Sequence, residues 1–169
     1  MKPAWLTTLL ILWFGFSASA AVSPPAERLF PPHETLEYTL RFADTQAGEL
    51  KMETLAPTTF EGRPAHHFRA QLRTVKFVGM IYPYEESVDL YYDRETQLPL
   101  YIDVRVKDRK KTSRTQIRLD PKTQRGTEIE DSTENDEEPK HRKKFWDLTA
   151  ARSQSLFSIL QYLRVVKLA

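Results

Sequence analysis

Four histidines, His33, His66, His67 and His141, are the side chains best suited by type to hold a metal ion or move a proton near neutral pH. Their spacing argues against a shared metal. His66 and His67 are adjacent, and neighbouring residues of a strand point to opposite faces, so one ion cannot take both. Neither a His-x-His nor a His-x-x-x-His pair occurs. Glu85, Glu86, Asp89 and Asp93 supply carboxylates of the kind that work in pairs as acid and base. In an alternating strand, however, Glu85 and Asp89 share the face opposite Val88 and Leu90, which is the expected solvent side. No serine lies in a Gly-x-Ser-x-Gly setting, and with five glycines there is no phosphate-cradling loop. The chain has no cysteine, which removes thiol catalysis, thiolate metal sites, disulfides and a lipidated N-terminal cysteine. No catalytic residue, cofactor or metal is assigned on this basis, and a non-enzymatic protein is expected.

Two further groups invite a binding role. Arg105, Lys107, Arg109, Lys110, Lys111, Arg114 and Arg118 belong to one hairpin. Clustered cations attract anionic headgroups and polyanionic envelope polymers, so Arg105, Lys107, Lys110 and Lys111 are expected at an anionic surface. The plainer reading is one solubilising face whose charges pair with the acidic stretch downstream. The second group is Phe77-Val78-Gly79-Met80-Ile81-Tyr82-Pro83, which is apolar without strand alternation and short for a helix. As a lid over the open end of a curved sheet, Phe77, Met80, Ile81 and Tyr82 would cover a concavity fit for an acyl chain or other amphiphile. The plainer reading there is a buried crossover that closes the core.

The elements that position these groups follow from period-two patterning. Leu36, Tyr38, Leu40 and Phe42 alternate with Glu37, Thr39 and Arg41, and a turn is expected at Asp44–Gly48. Leu50, Met52 and Thr54 form a weaker strand. His66, Phe68, Ala70, Leu72 and Thr74 form the inward set of the next. Val88, Leu90 and Tyr92 follow, then Leu98 to Val106 in strict alternation, then Ile117 and Leu119. Four or five strands joined by compact turns, without helices between them, imply an antiparallel meander.

The termini differ in character. Met1-Lys2, the apolar run Trp5–Phe16 and Ser17-Ala18-Ser19-Ala20 make the three parts of a secretory signal peptide over 1–20, cleaved near Ala20. The run is too short for a permanent span, so a periplasmic product without a stable membrane anchor is expected. Lys2 is the only charge lost, which leaves 24 basic against 23 acidic residues and a net charge of +1. That balance argues against a nucleic-acid partner. Residues 21–33 carry Pro24, Pro25, Pro31 and Pro32 and read as an extended leader. Residues 131–144, acidic and then basic, read as a flexible charged loop. Ser155 can cap a helix over 155–166 whose Leu156, Ile159, Leu160 and Leu163 share one face.

Leu36-Glu37-Tyr38, Ala47-Gly48-Glu49, Tyr82-Pro83, Tyr92-Asp93, Leu98-Pro99-Leu100-Tyr101 and Ser158–Arg164 occur in this order across most of the chain. In this the chain resembles the exported bacterial proteins catalogued as domain of unknown function 3108. The resemblance implies a β-rich envelope domain and no established activity. Where that pattern carries an Asp three residues before the helix serine, this chain has Ser155. The resemblance further implies strands beyond the helix, past Ala169 here, so either those strands are dispensable or the sheet has an exposed edge that something else must cover. The expected architecture for 34–169 is a single all-β domain, an antiparallel meander curled into an open barrel or sandwich, with one C-terminal helix. The expected function is binding of a hydrophobic or amphiphilic envelope ligand such as a lipid. The alternative is a scaffold or assembly factor that binds an envelope protein along an exposed edge.

Overall fold

The computed structural model describes residues 31–147 apart from 97, 121 and 136. Nine strands form one sheet: β1 (Thr35–Phe42), β2 (Thr45–Thr54), β3 (Thr58–Phe60), β4 (Arg63–Thr74), β5 (Tyr84–Asp93), β6 (Pro99–Asp108), β7 (Lys111–Asp120), β8 (Arg125–Glu134) and β9 (Lys140–Asp147). A short helix, α1 (Lys76–Ile81), joins β4 to β5. The path is a meander, β1-β2-β4-β5-β6-β7-β8-β9, with every pair antiparallel. The three-residue β3 pairs with the start of β4, in line with β2, which takes the rest of that strand.

The turns are set by residues that tolerate left-handed backbone or bind it locally. Ala43 and Asp44 both have positive φ, as do Glu61 and Gly62, the geometry of two-residue hairpins that match strand twist. The first turn is therefore Ala43–Asp44, and Thr45–Gly48, expected as turn, is the start of β2 with a register shift opposite Leu40/Arg41. At two strand ends an aspartate builds the turn. Asp93 Oδ1 accepts the N–H groups of Glu95 and Thr96, and Asp108 Oδ1 those of Lys110 and Lys111.

Register divides the sheet into two unlike faces. One carries Leu36, Tyr38 and Leu40, then Leu50 and Met52, Phe68, Ala70 and Leu72, Val88, Leu90 and Tyr92, and Ile102, Val104 and Val106. Its most buried members are Phe68, Leu90 and Tyr92, with Phe68 edge-on to Tyr92 at 6.2 Å and Ile102 packed alongside. Each such side chain stabilises the fold by about 1.5–3 kcal/mol. The other face carries His67, Arg69, Asp89, Tyr91, Tyr101, Asp103 and Arg114.

Several expectations are corrected. The antiparallel meander is one open sheet, not a closed barrel: among the described residues β1 and β9 each have one paired neighbour. Nine strands replace four or five. The helix described is internal, and the one expected at 155–166 lies outside the described residues, as do the signal peptide and most of the leader. Of the residues expected as a flexible loop, 131–134 and 140–144 are strand. Asp131 pairs with His141 and Glu130 with Arg142 in the β8–β9 hairpin, so charge that cannot be buried is matched across the strands. Gly126 serves that hairpin by leaving room for Trp146, whose ring lies where its Cβ would be.

Candidate ligand-binding surface

The segment Phe77–Pro83 is mostly helix rather than irregular chain, because one hydroxyl closes it. Thr74 Oγ1 donates to the carbonyl of Tyr82 at 2.9 Å and accepts the N–H of Tyr84 at 2.9 Å. The excursion thus leaves and rejoins the sheet at one point. Gly79 rests on that point, where a Cβ would come within 3.0 Å of the Thr74 carbonyl oxygen. Inside the excursion, Gly79 and Tyr82 donate to the carbonyls of Val75 and Val78. No residue of α1 is buried. Phe77 is 64% exposed, Met80 83%, Ile81 55% and Tyr82 55%. The helix is therefore not a lid with its apolar side turned inward, nor a crossover that closes the core. It presents four large apolar side chains to solvent, and Phe42 at 78% exposure lies at the same end of the sheet.

The register of β5 on β6 decides what sits beside it. Tyr84 pairs with Asp108, so the chain that leaves α1 enters β5 beside the β6–β7 turn Arg109–Lys110, both members of which are exposed, while α1 itself lies against β2 and β4. Two groups far apart in sequence, one apolar and one cationic, thus lie at the same end of the sheet.

The four basic residues expected to act together do not share one face of the sheet. Arg105 and Lys107 lie on the ionic face, where Arg105 donates to Asp103 at 2.6 Å and Lys107 stands opposite Glu85. Lys111 is on the other face and meets Glu130 at 3.6 Å. Lys110 is in the turn, its main chain fixed by Asp108 and Asn135. The hairpin is largely neutralised by its neighbours, and Lys110 with Arg109 is its exposed cationic turn, at the end of the sheet that also carries α1.

The ionic face holds a network that sequence reasoning assigned to open solvent. Asp89 and Asp103 stand directly opposite each other on β5 and β6. Two like charges so placed repel, and each is held by its own basic side chains. Asp89 Oδ1 meets His67 Nε2 at 2.7 Å and accepts from Arg69 Nε at 3.0 Å. Asp103 accepts from Arg105 and, through two nitrogens, from Arg114 at 2.9 and 2.8 Å. Burial raises the Asp103 pKa, but these hydrogen bonds and charges outweigh it and hold the carboxyl below its ordinary value. Beside the pair runs an aromatic stack. His67 lies on Tyr91 at 4.3 Å, Phe60 covers Tyr91 at 4.8 Å and Tyr101 at 5.2 Å, and Arg118 caps Tyr101 while meeting Glu61. Burial, and next Asp89, pushes the Tyr91 phenol up. Carboxylates clamped in this way position strands. Glu85 and Asp89 do share a face, as their spacing requires, but Asp89 is shielded from solvent. His66 points to the opposite face from His67 and is buried in the core, where burial and then Arg94 lower its pKa.

The fold defines an all-β protein built on one open antiparallel sheet. The family model described as "Protein of unknown function (DUF3108)" matches residues 37–167, and the chain belongs to that family. Comparison with curated proteins and with solved structures gives no match.

Proposed function

We propose that this is an exported, periplasmic, non-enzymatic protein that binds an amphiphile at the α1 corner. The apolar chain would lie against Phe77, Met80, Ile81 and Tyr82, and an anionic head would face Arg109 and Lys110. The observation that supports the reading is an exposed apolar helix and an exposed basic turn at the same end of the sheet, where Tyr84 of β5 pairs with Asp108 of β6. Exposed apolar side chains clustered and rimmed by charge mark contact sites rather than chance exposure. Among the described residues no helix is long and apolar enough to cross a membrane, so the contact envisaged is at a surface.

Burial of one such side chain in hydrocarbon is worth about 1.5–3 kcal/mol, so losing one costs roughly tenfold or more in affinity. Co-sedimentation with vesicles of phosphatidylglycerol and phosphatidylcholine, and native mass spectra of protein from the envelope fraction, test the reading. Binding is expected to fall at least tenfold in Met80→Asp and in Phe77→Asp. Lys110→Glu is expected to remove its salt sensitivity. Wild-type protein that ignores every vesicle and carries no lipid would end the proposal.

A further inference from the structure

The two ends of the sheet are built differently. β9 presents Lys140, His141, Arg142, Lys143 and Lys144 in succession, so a second strand of the same kind laid along it would oppose like charges. β1 has no such guard. Seven of its eight residues are exposed, including Tyr38 and Leu40, which lie on the apolar face.

The direction of its unpaired main-chain groups can be read from β2. Thr54 donates to Glu34 and accepts from His33, whereas Leu55 donates to His67 and Ala47 accepts from Val75. From Gly48 to Thr54, past the register shift, even-numbered residues of β2 thus face β1 and odd-numbered ones face β4. The alternation of an antiparallel ladder then turns the main-chain groups of Leu36 and Tyr38 toward β2. Those of Glu37 and Thr39 point away from the sheet.

We infer that β1 pairs with β1 of a second copy, antiparallel and centred on Thr39. In that register Thr39 of each copy hydrogen-bonds Thr39 of the other, and Glu37 stands opposite Arg41 twice, once on each side of the two-fold axis. Tyr38 meets Leu40 and Leu36 meets Phe42, all on the apolar face, so the two sheets continue as one. Neighbouring registers are worse. Centred on Glu37 or on Arg41, the pairing sets like charges face to face. Centred on Tyr38, it places each charge opposite a threonine. Among the described residues Glu37 has no ion-pair partner, and the Arg41 guanidinium donates only to the Asp44 carbonyl, so both are available. The eight-residue strand TLEYTLRF is in this sense self-complementary.

Sedimentation equilibrium on the chain expressed in full, from about 1 to 200 μM, the range that frames weak two-fold interfaces, reads the result. Twice the monomer mass is expected at the upper end. Glu37→Arg and Arg41→Glu, each of which places like charges in opposition, are expected to lower dimer affinity at least tenfold. The double variant carrying both is expected to regain it. Thr39→Cys introduces a thiol into a chain that has none. At the two-fold axis the Cα atoms stand about 5.5 Å apart, within disulfide reach, so mild oxidation should link two chains. Thr35→Cys, about 27 Å from its symmetry mate in this register, should not link. A protein monomeric throughout, a dimer unaffected by either single charge reversal, or linkage through position 35 and not 39 would overturn the inference.

Discussion

The Asp103→Asn substitution tests whether the ionic face is a structural clamp. Asp103 is 4% exposed and accepts three hydrogen bonds, from Arg105 Nη2 at 2.6 Å and from Arg114 Nε and Nη2 at 2.9 and 2.8 Å. The asparagine keeps the volume and one acceptor but removes the charge. Severing a fully buried ion pair costs about 3–5 kcal/mol. Here the arginine side chains are 53% and 45% exposed and recover water, and the repulsion from Asp89 opposite is relieved. Both effects lower the cost, to about 2–3 kcal/mol, near the value of a charged hydrogen bond. In a chain of this size that is a fall in Tm of roughly 5–10 °C.

The pH dependence fixes the cause. The folded carboxyl has a lowered pKa, so its contribution is present above the unfolded value near 4 and is lost as pH falls below it, through the folded pKa. Urea unfolding of both proteins should therefore show a constant stability gap from about pH 5 to 8 that narrows below about pH 4. A gap under about 0.5 kcal/mol at pH 7, the size of an ordinary surface substitution, would refute the clamp. So would one that widens on acidification.

Three other outcomes follow from single contacts. His66 has a lowered pKa in the fold, so the unfolded chain takes up the proton first and stability should fall as pH drops through about 6.5; urea midpoints at several pH values should show His66→Phe with a shallower decline than wild type. Gly126→Ala sets a methyl group where the Trp146 ring lies and should cost about 1–3 kcal/mol, with a red-shifted tryptophan emission and an altered near-ultraviolet dichroism. Thr74→Val frees the Tyr82 carbonyl and the Tyr84 N–H and should cost about 1–2 kcal/mol, with amide exchange accelerating at Tyr84 and unchanged at Leu90.

The meander from Leu36 to Leu119 was legible because alternation survives wherever one face is buried: the inward set His66, Phe68, Ala70 and Leu72 is the one observed. Three kinds of element were not. β8 and β9 bury little, so they show charge in place of alternation, and their stability comes from cross-strand pairs such as Glu130–Arg142 that a linear reading sees only as two runs of opposite sign. β3 is too short for any period, and Phe60 earns its place through the Tyr91–Tyr101 stack, whose rings are 31 and 41 residues downstream. α1 is held by the Thr74 hydroxyl instead of by apolar burial, which inverts the usual link between an apolar run and the core. The ionic network was half visible: Asp89 and Asp103 were in plain view, but their opposition depends on the length of the β5–β6 connection, which fixes register and leaves no mark in composition.

The two proposals constrain each other geometrically. A two-fold axis through Thr39, perpendicular to the sheet, reverses the strand direction between copies, so the α1 corner of one copy lies at the opposite end of the joined sheet from that of its partner. A dimer of this kind cannot lay both apolar corners on one flat bilayer. It can hold two separate amphiphiles, or bridge two surfaces. If β1 pairing and α1 binding both operate, wild-type protein should tether vesicles and raise their turbidity, whereas Glu37→Arg should bind them through α1 without tethering. Tethering abolished by Met80→Asp but retained by Glu37→Arg would separate the corner from the edge, leaving the amphiphile reading in place and removing the dimer.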